Sequence, residues 1–75
     1  MDTKEKLALL EDIMELDEGT LTPETRLDDL DEWDSLSALS FVVMLGDEFN
    51  RKISGQEVRA FERIQDMLAV MAPEA

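Results

Sequence analysis

The segment from Ser35 to Phe49 constrains the fold more than any other part of the chain. Ala38, Phe41, Val42, Leu45 and Phe49 recur at helical spacing and make one apolar stripe. Leu36, Leu39 and Val43 make a second stripe on a different face of the same helix. One face must meet a core. The other is expected to be partly exposed, and exposed apolar surface beside charge often marks a docking site. The competing arrangement buries both faces and turns Ser37 and Ser40 outward.

The rest of the chain supplies partners for that helix. A first helix is predicted from Thr3 to Leu16, opened by Asp2 with Glu5 three residues on. Leu7, Leu10 and Met14 form its apolar stripe, with Leu9, Ile13 and Leu16 beside it, and Gly19 lies at or just past its end. A long connection follows from Asp17 to Asp34. A structureless loop of that length is unusual in a compact domain, so Leu21, Leu27 and Leu30 are expected to pack it across the bundle. A short third helix is predicted after Ser54, where Ser54 and Glu57 have capping-box spacing and Val58 and Phe61 face inward. A fourth runs from Ile64 to Met71 and is stopped by Pro73. No segment alternates with period two, so no strands are expected. The expected fold is all-α: one small four-helix bundle over residues 1–75, with a short third helix and a long first loop.

Composition narrows the function. The 75 residues hold 19 acids, 7 bases, no histidine and no cysteine, for a net charge of −12. From Glu11 to Asp34 there are eleven acids and one base, Arg26. Such charge repels nucleic acid phosphates and anionic membrane surfaces, and favours basic patches on protein partners. No apolar run is long enough to span a membrane, and no leader is read at the N-terminus. The absence of cysteine fits a reducing cytoplasm.

Conventional catalytic sets are missing. Without histidine, no serine here has an imidazole base, and zinc lacks its nitrogen and sulfur ligands. The run from Asp29 to Asp34 departs from a calcium loop at Trp33, Asp34 and Ser40. A chain this short buries only about 60% of its unfolded surface, which leaves little room for a pocket that tunes carboxylate acidity. No enzymatic activity and no metal site are expected. Ser35 is a different matter. It stands at a helix start, where free N–H groups and the dipole favour a phosphate, and that makes it a candidate attachment point.

Nearly the whole chain resembles the acyl carrier protein family. Asp34-Ser35-Leu36 opens the second helix, Leu21 to Leu30 is similar to the family's loop before the modified serine, Asp47-Glu48-Phe49 to the end of its second helix, and Ile64-Gln65-Asp66 to the start of its last. The resemblance implies that a phosphopantetheinyl transferase using Mg²⁺ attaches 4′-phosphopantetheine from coenzyme A to Ser35. The arm's thiol would then carry acyl groups as thioesters for fatty acid, polyketide or related synthesis. Asp34 would help the transferase and its metal recognise the serine, or cap the helix. Leu36, Leu39 and Val43 would form the apolar docking surface, and Asp47 and Glu48 would meet basic residues of a ligase, ketosynthase or acyltransferase. Val42, Leu45, Ile53, Phe61 and Met67 would line a space for the acyl chain. The implied protein is a cytoplasmic monomer.

Departures from the family suggest a specialised carrier. Ser37 and Ser40 are uncharged where acids are usual, and Gly46 sits where an acid or small residue is common. Leu30-Asp31-Glu32-Trp33 replaces a glycine-containing approach to the serine, with Trp33 expected to pack against the loop rather than face a partner. Arg63 stands where a threonine often caps the last helix, so a less well fixed start is expected there. The alternatives are a peptidyl or aminoacyl carrier, which typically has a glycine-rich approach and a less acidic surface, and an unmodified acidic module that binds proteins.

Overall fold

The computed structural model describes residues 2–72. Four helices follow one another: α1 over Thr3–Ile13, α2 over Ser35–Phe49, α3 over Gly55–Ala60 and α4 over Ile64–Val70. A single 3₁₀ turn at Leu27–Asp29 lies in the long loop. Among the described residues there is no strand. One isolated antiparallel bridge pairs Arg26 with Arg63. α1 packs against both α2 and α4. The all-α expectation holds, and α2 has the predicted ends.

α2 is oriented by its inward stripe. Phe41 and Leu45 have no exposed surface, and Phe49 is nearly as buried. They meet Leu10 and Met14 of the first helical segment and Ile64 and Met67 of α4 in one core cluster. Trp33 from the loop and Phe61 from the α3–α4 junction both meet the Phe41 ring edge to face, with centroids 6.2 and 5.7 Å away. Trp33 therefore packs, against α2 rather than against the loop as expected. The second stripe stays outside: Leu36, Leu39 and Val43 are 73%, 61% and 55% exposed. The arrangement with both faces buried is excluded.

The long loop is held by hydrogen bonds as well as by leucines. Leu21 and Leu27 are buried and Leu30 is half-buried. The Leu27 N–H donates to the Glu62 carbonyl at 2.9 Å, Ile64 N–H to Thr25 and Gln65 N–H to Pro23, both also at 2.9 Å. At its other end the buried Glu11 carboxylate accepts the Leu21 N–H at 2.9 Å. These bonds satisfy loop groups that would otherwise be costly to take from water.

Three helix ends differ from the expectation. α4 starts firmly despite Arg63, because the Asp66 carboxylate accepts the N–H groups of Glu62 and Arg63 at 2.9 and 3.1 Å. Together with the loop carbonyls of Thr25 and Pro23, this pairs the N–H groups that a helix start leaves free. α4 also ends at Val70 rather than Met71. α1 stops at Ile13, before Leu16, because Glu15 turns left-handed at φ 58°. The Leu16 N–H then bonds Glu11 at 2.8 Å and the Glu15 N–H bonds Asp12 at 3.2 Å, the two bonds of a Schellman ending. Gly19 is also left-handed, at φ 89°, but lies beyond that ending.

A side chain with a Cβ pays for φ > 0 by about 1–2 kcal/mol, partly offset in glycine by its freer unfolded state. Glu15→Gly is therefore expected to stabilise the protein by up to about 1 kcal/mol. Urea unfolding at fixed pH measures it, and a destabilised variant would show that the Glu15 side chain contributes more than its backbone strain costs.

Candidate functional site

The start of α2 is built by a reciprocal cap. Asp34 has extended backbone at φ −129° and ψ −171°, and its Oδ1 accepts the Ser37 N–H at 2.9 Å. In return the Ser37 Oγ accepts the Asp34 N–H at 2.8 Å. The Ser37 hydroxyl donates to the Glu32 carbonyl at 2.9 Å, with the Asp34 carbonyl and Oδ1 farther away at 3.1 and 3.2 Å. The hydrogen bonds from the Ser37 backbone N–H and then from its hydroxyl hold the Asp34 carboxyl below its ordinary value of 3.8.

Ser35 is the first residue of α2 and is exposed. It is flanked by Asp34 on one side and by the exposed Leu36 on the other. Its side chain is reachable from solvent, and of the first-turn N–H groups that of Ser37 is already taken by the Asp34 carboxylate. Among the described residues no group of three or more acidic side chains could hold a metal ion.

Two surface grooves flank the site. One of about 400 Å³ runs between the end of α1 and the start of α2, lined by Ile13, Met14, Glu15, Glu32, Asp34, Leu36, Ser37 and Ser40. The other, about 370 Å³, lies farther along α2 and is lined by Leu39, Ser40, Val43, Met44, Asp47 and Glu48. It brings together Leu39, Val43, Asp47 and Glu48, all expected from sequence to face partners. Leu36 lies on the first groove instead. Of the residues expected to line an acyl space, Leu45 and Met67 have no exposed surface, while Val42, Ile53 and Phe61 are half-buried.

A family model for the phosphopantetheine attachment site matches residues 7–71. The chain belongs to this family. Its prosthetic group is 4′-phosphopantetheine, covalently bound, and the protein is a carrier of that group. A search of curated proteins and a search of solved structures each returned no match. The matched span takes in α1 from Leu7 onward and the whole of α2, α3 and α4, ending at Met71.

Sequence reasoning missed Ser37. It was weighed as an uncharged surface position, yet it is 5% exposed and completes the cap. The signal was present as Asp34-x-x-Ser37, a capping-box spacing with serine where glutamate or glutamine is usual.

The lowered pKa values of Asp34 and Asp66, the latter caused first by the Glu62 N–H and then by the Arg63 N–H, predict an acid limb in stability. A carboxyl depressed in the folded state stabilises above its unfolded pKa and loses that contribution as pH falls through its folded value. Their contribution is therefore constant from about pH 7 to about pH 5 and fades below about pH 4. Asp34→Asn keeps an acceptor but cannot titrate. Its stability deficit against wild type is expected to shrink between about pH 7 and about pH 3, and an unchanged deficit in urea midpoints would contradict the assignment.

Proposed function

We propose that Ser35 is the attachment point of the prosthetic group and that the chain shuttles acyl intermediates between separate enzymes of a fatty acid, polyketide or related pathway. The observation that carries this reading is the exposed Ser35 hydroxyl at the first position of α2, directly after a capped Asp34, within a chain of the phosphopantetheine-attachment family. In the attachment step the Ser35 Oγ bonds to the pantetheine-side phosphorus of coenzyme A. The phosphoanhydride bond to adenosine 3′,5′-bisphosphate breaks, that bisphosphate leaves with the bonding pair, and the serine proton passes to a base of the transferase. When bound, the arm supplies a thiol on which acyl groups ride as thioesters.

The residues of this chain bind and present; the transfer chemistry belongs to partners. With no histidine or cysteine, the chain has neither a neutral-pH base nor a competing thiol. Asp34 stays ionised beside Ser35 and is positioned to meet the transferase and its Mg²⁺ while it caps α2. Leu36, Leu39 and Val43 supply apolar contact, and Asp47 and Glu48 attract basic residues on a ligase, ketosynthase or acyltransferase. An acyl chain sheltered among Val42, Leu45, Ile53, Phe61 and Met67 would have to part the last four of these, which now close one core cluster from which Val42 is absent. A cytoplasmic monomer that works by transient docking fits the acidic, cysteine-free sequence.

Intact mass after incubation with coenzyme A and a promiscuous phosphopantetheinyl transferase tests the attachment point. Wild type is expected to gain one phosphopantetheine and Ser35→Ala none; an adduct that survives the substitution would place the site elsewhere. Docking is expected to weaken as salt rises, because surface carboxylates supply much of the attraction. Affinity for an acyl-handling partner that stays flat from low to high ionic strength would contradict the electrostatic account.

A further inference from the structure

We propose that Ser37 is a positioning residue for the attachment reaction: its hydroxyl fixes the Glu32–Asp34 backbone and thereby sets how Ser35 is offered to the transferase. The inference rests on the reading of Ser35 as the attachment point. Ser37 itself does not react.

The argument begins with burial. Ser37 is a polar residue in the first turn of a helix, where water is usually available, yet it is 5% exposed. Its hydroxyl is used in both directions. As acceptor it takes the Asp34 N–H at 2.8 Å, and as donor it reaches the Glu32 carbonyl at 2.9 Å. A hydroxyl has one proton, so the more distant Asp34 oxygens at 3.1 and 3.2 Å are alternatives to Glu32, not additions.

The Asp34 end of the segment is also held by the Ala38 N–H on its carbonyl and the Ser37 N–H on its Oδ1, both at 2.9 Å, whereas the Glu32 carbonyl is held by the Ser37 hydroxyl. Glu32, Trp33 and Asp34 lie outside any helix or strand. The Trp33 N–H reaches the Leu30 carbonyl only at 3.3 Å, and the Trp33 ring leans on Phe41. Ser37 therefore ties the backbone on both sides of Trp33 to the rigid first turn of α2. Ser35 sits between its two anchored neighbours, Asp34 and Ser37. A rotation of the Asp34–Ser35 peptide would swing the Ser35 side chain. A misplacement of about 1 Å at a reacting centre can cost about a hundredfold in rate.

The substitutions separate the two halves of the role. Alanine removes acceptor and donor. Threonine keeps both. Cysteine keeps the size of serine, but its thiol is only a weak donor and a weak acceptor.

Steady-state attachment kinetics, with coenzyme A and a promiscuous transferase, decide the proposal. Ser37→Ala is expected to lower kcat by about ten- to a hundredfold with KM changed by less than about threefold, and Ser37→Thr to restore kcat to within about threefold. Val58→Ala, a core truncation in α3 chosen for a similar loss of Tm, is expected to keep the wild-type kcat. In the unmodified protein, hydrogen exchange at the Asp34 amide is expected to rise about tenfold in Ser37→Ala and to return in Ser37→Thr. Should Ser37→Ala fail to fold, Ser37→Cys takes its place with the same expected direction. A wild-type kcat in the folded alanine or cysteine variant overturns the proposal. So does an equal loss in Val58→Ala, which would reduce Ser37 to a contributor to stability. A wild-type protein that accepts no adduct sinks the Ser35 reading instead, and unchanged Asp34 exchange in Ser37→Ala then removes the hold on the loop as well.

Discussion

Phe41 has no exposed surface and receives Trp33 from the loop and Phe61 from the α3–α4 junction, both edge to face. Such aromatic pairs add about 1 kcal/mol each beyond the area they bury. Their larger effect is geometric, because they fix the rotation of α2 about its own axis. With about 100° per residue, Ser37 and Leu45 fall about 40° either side of Phe41 and point inward, while Leu39 and Val43 fall about 160° away. The exposed apolar face and the buried serine are thus two results of one constraint. Ser35, about 120° from Phe41, emerges at the edge between core and solvent.

The acidic loop needs a different kind of support. Leu21 and Leu27 anchor it in the core, but its backbone runs without a ladder through most of its length. It is pinned at Glu11, along residues 62–65 and at Ser37, in each case by hydrogen bonds that also serve a helix. The fixed loop brings Asp34 to the start of α2 in one conformation. The carboxylates around it remain free to attract basic partners from a distance. Precision at the serine and breadth in the surrounding field are supplied by different residues.

Much of this was legible because apolar spacing on α2 is long and regular. The ends of that helix and the exposed second stripe followed from it. What escaped depended on single polar side chains acting at a distance in space. Glu15 ends α1 in a left-handed turn that glycine would normally signal, so Leu16 was assigned to the helix. Asp66 holds the start of α4 from inside the helix, so Arg63 looked like a weakness. Ser37 looked like a lost surface charge, although its spacing from Asp34 carried the information. Propensity and periodicity describe how a segment behaves on average, whereas these three residues act through specific hydrogen bonds.

The central claim is that the rotation of α2 and the cap at its start single out one serine among several. Ser35, Ser37, Ser40 and Ser54 are all present, and only Ser35 combines exposure with the first helical position of α2. Fragmentation mass spectrometry of peptides from protein recovered from its own cells tests this most directly. The account predicts that the pantetheine-releasing peptide contains Ser35 and that backbone fragments assign the phosphodiester to that residue. An assignment to Ser37, Ser40 or Ser54 would contradict it.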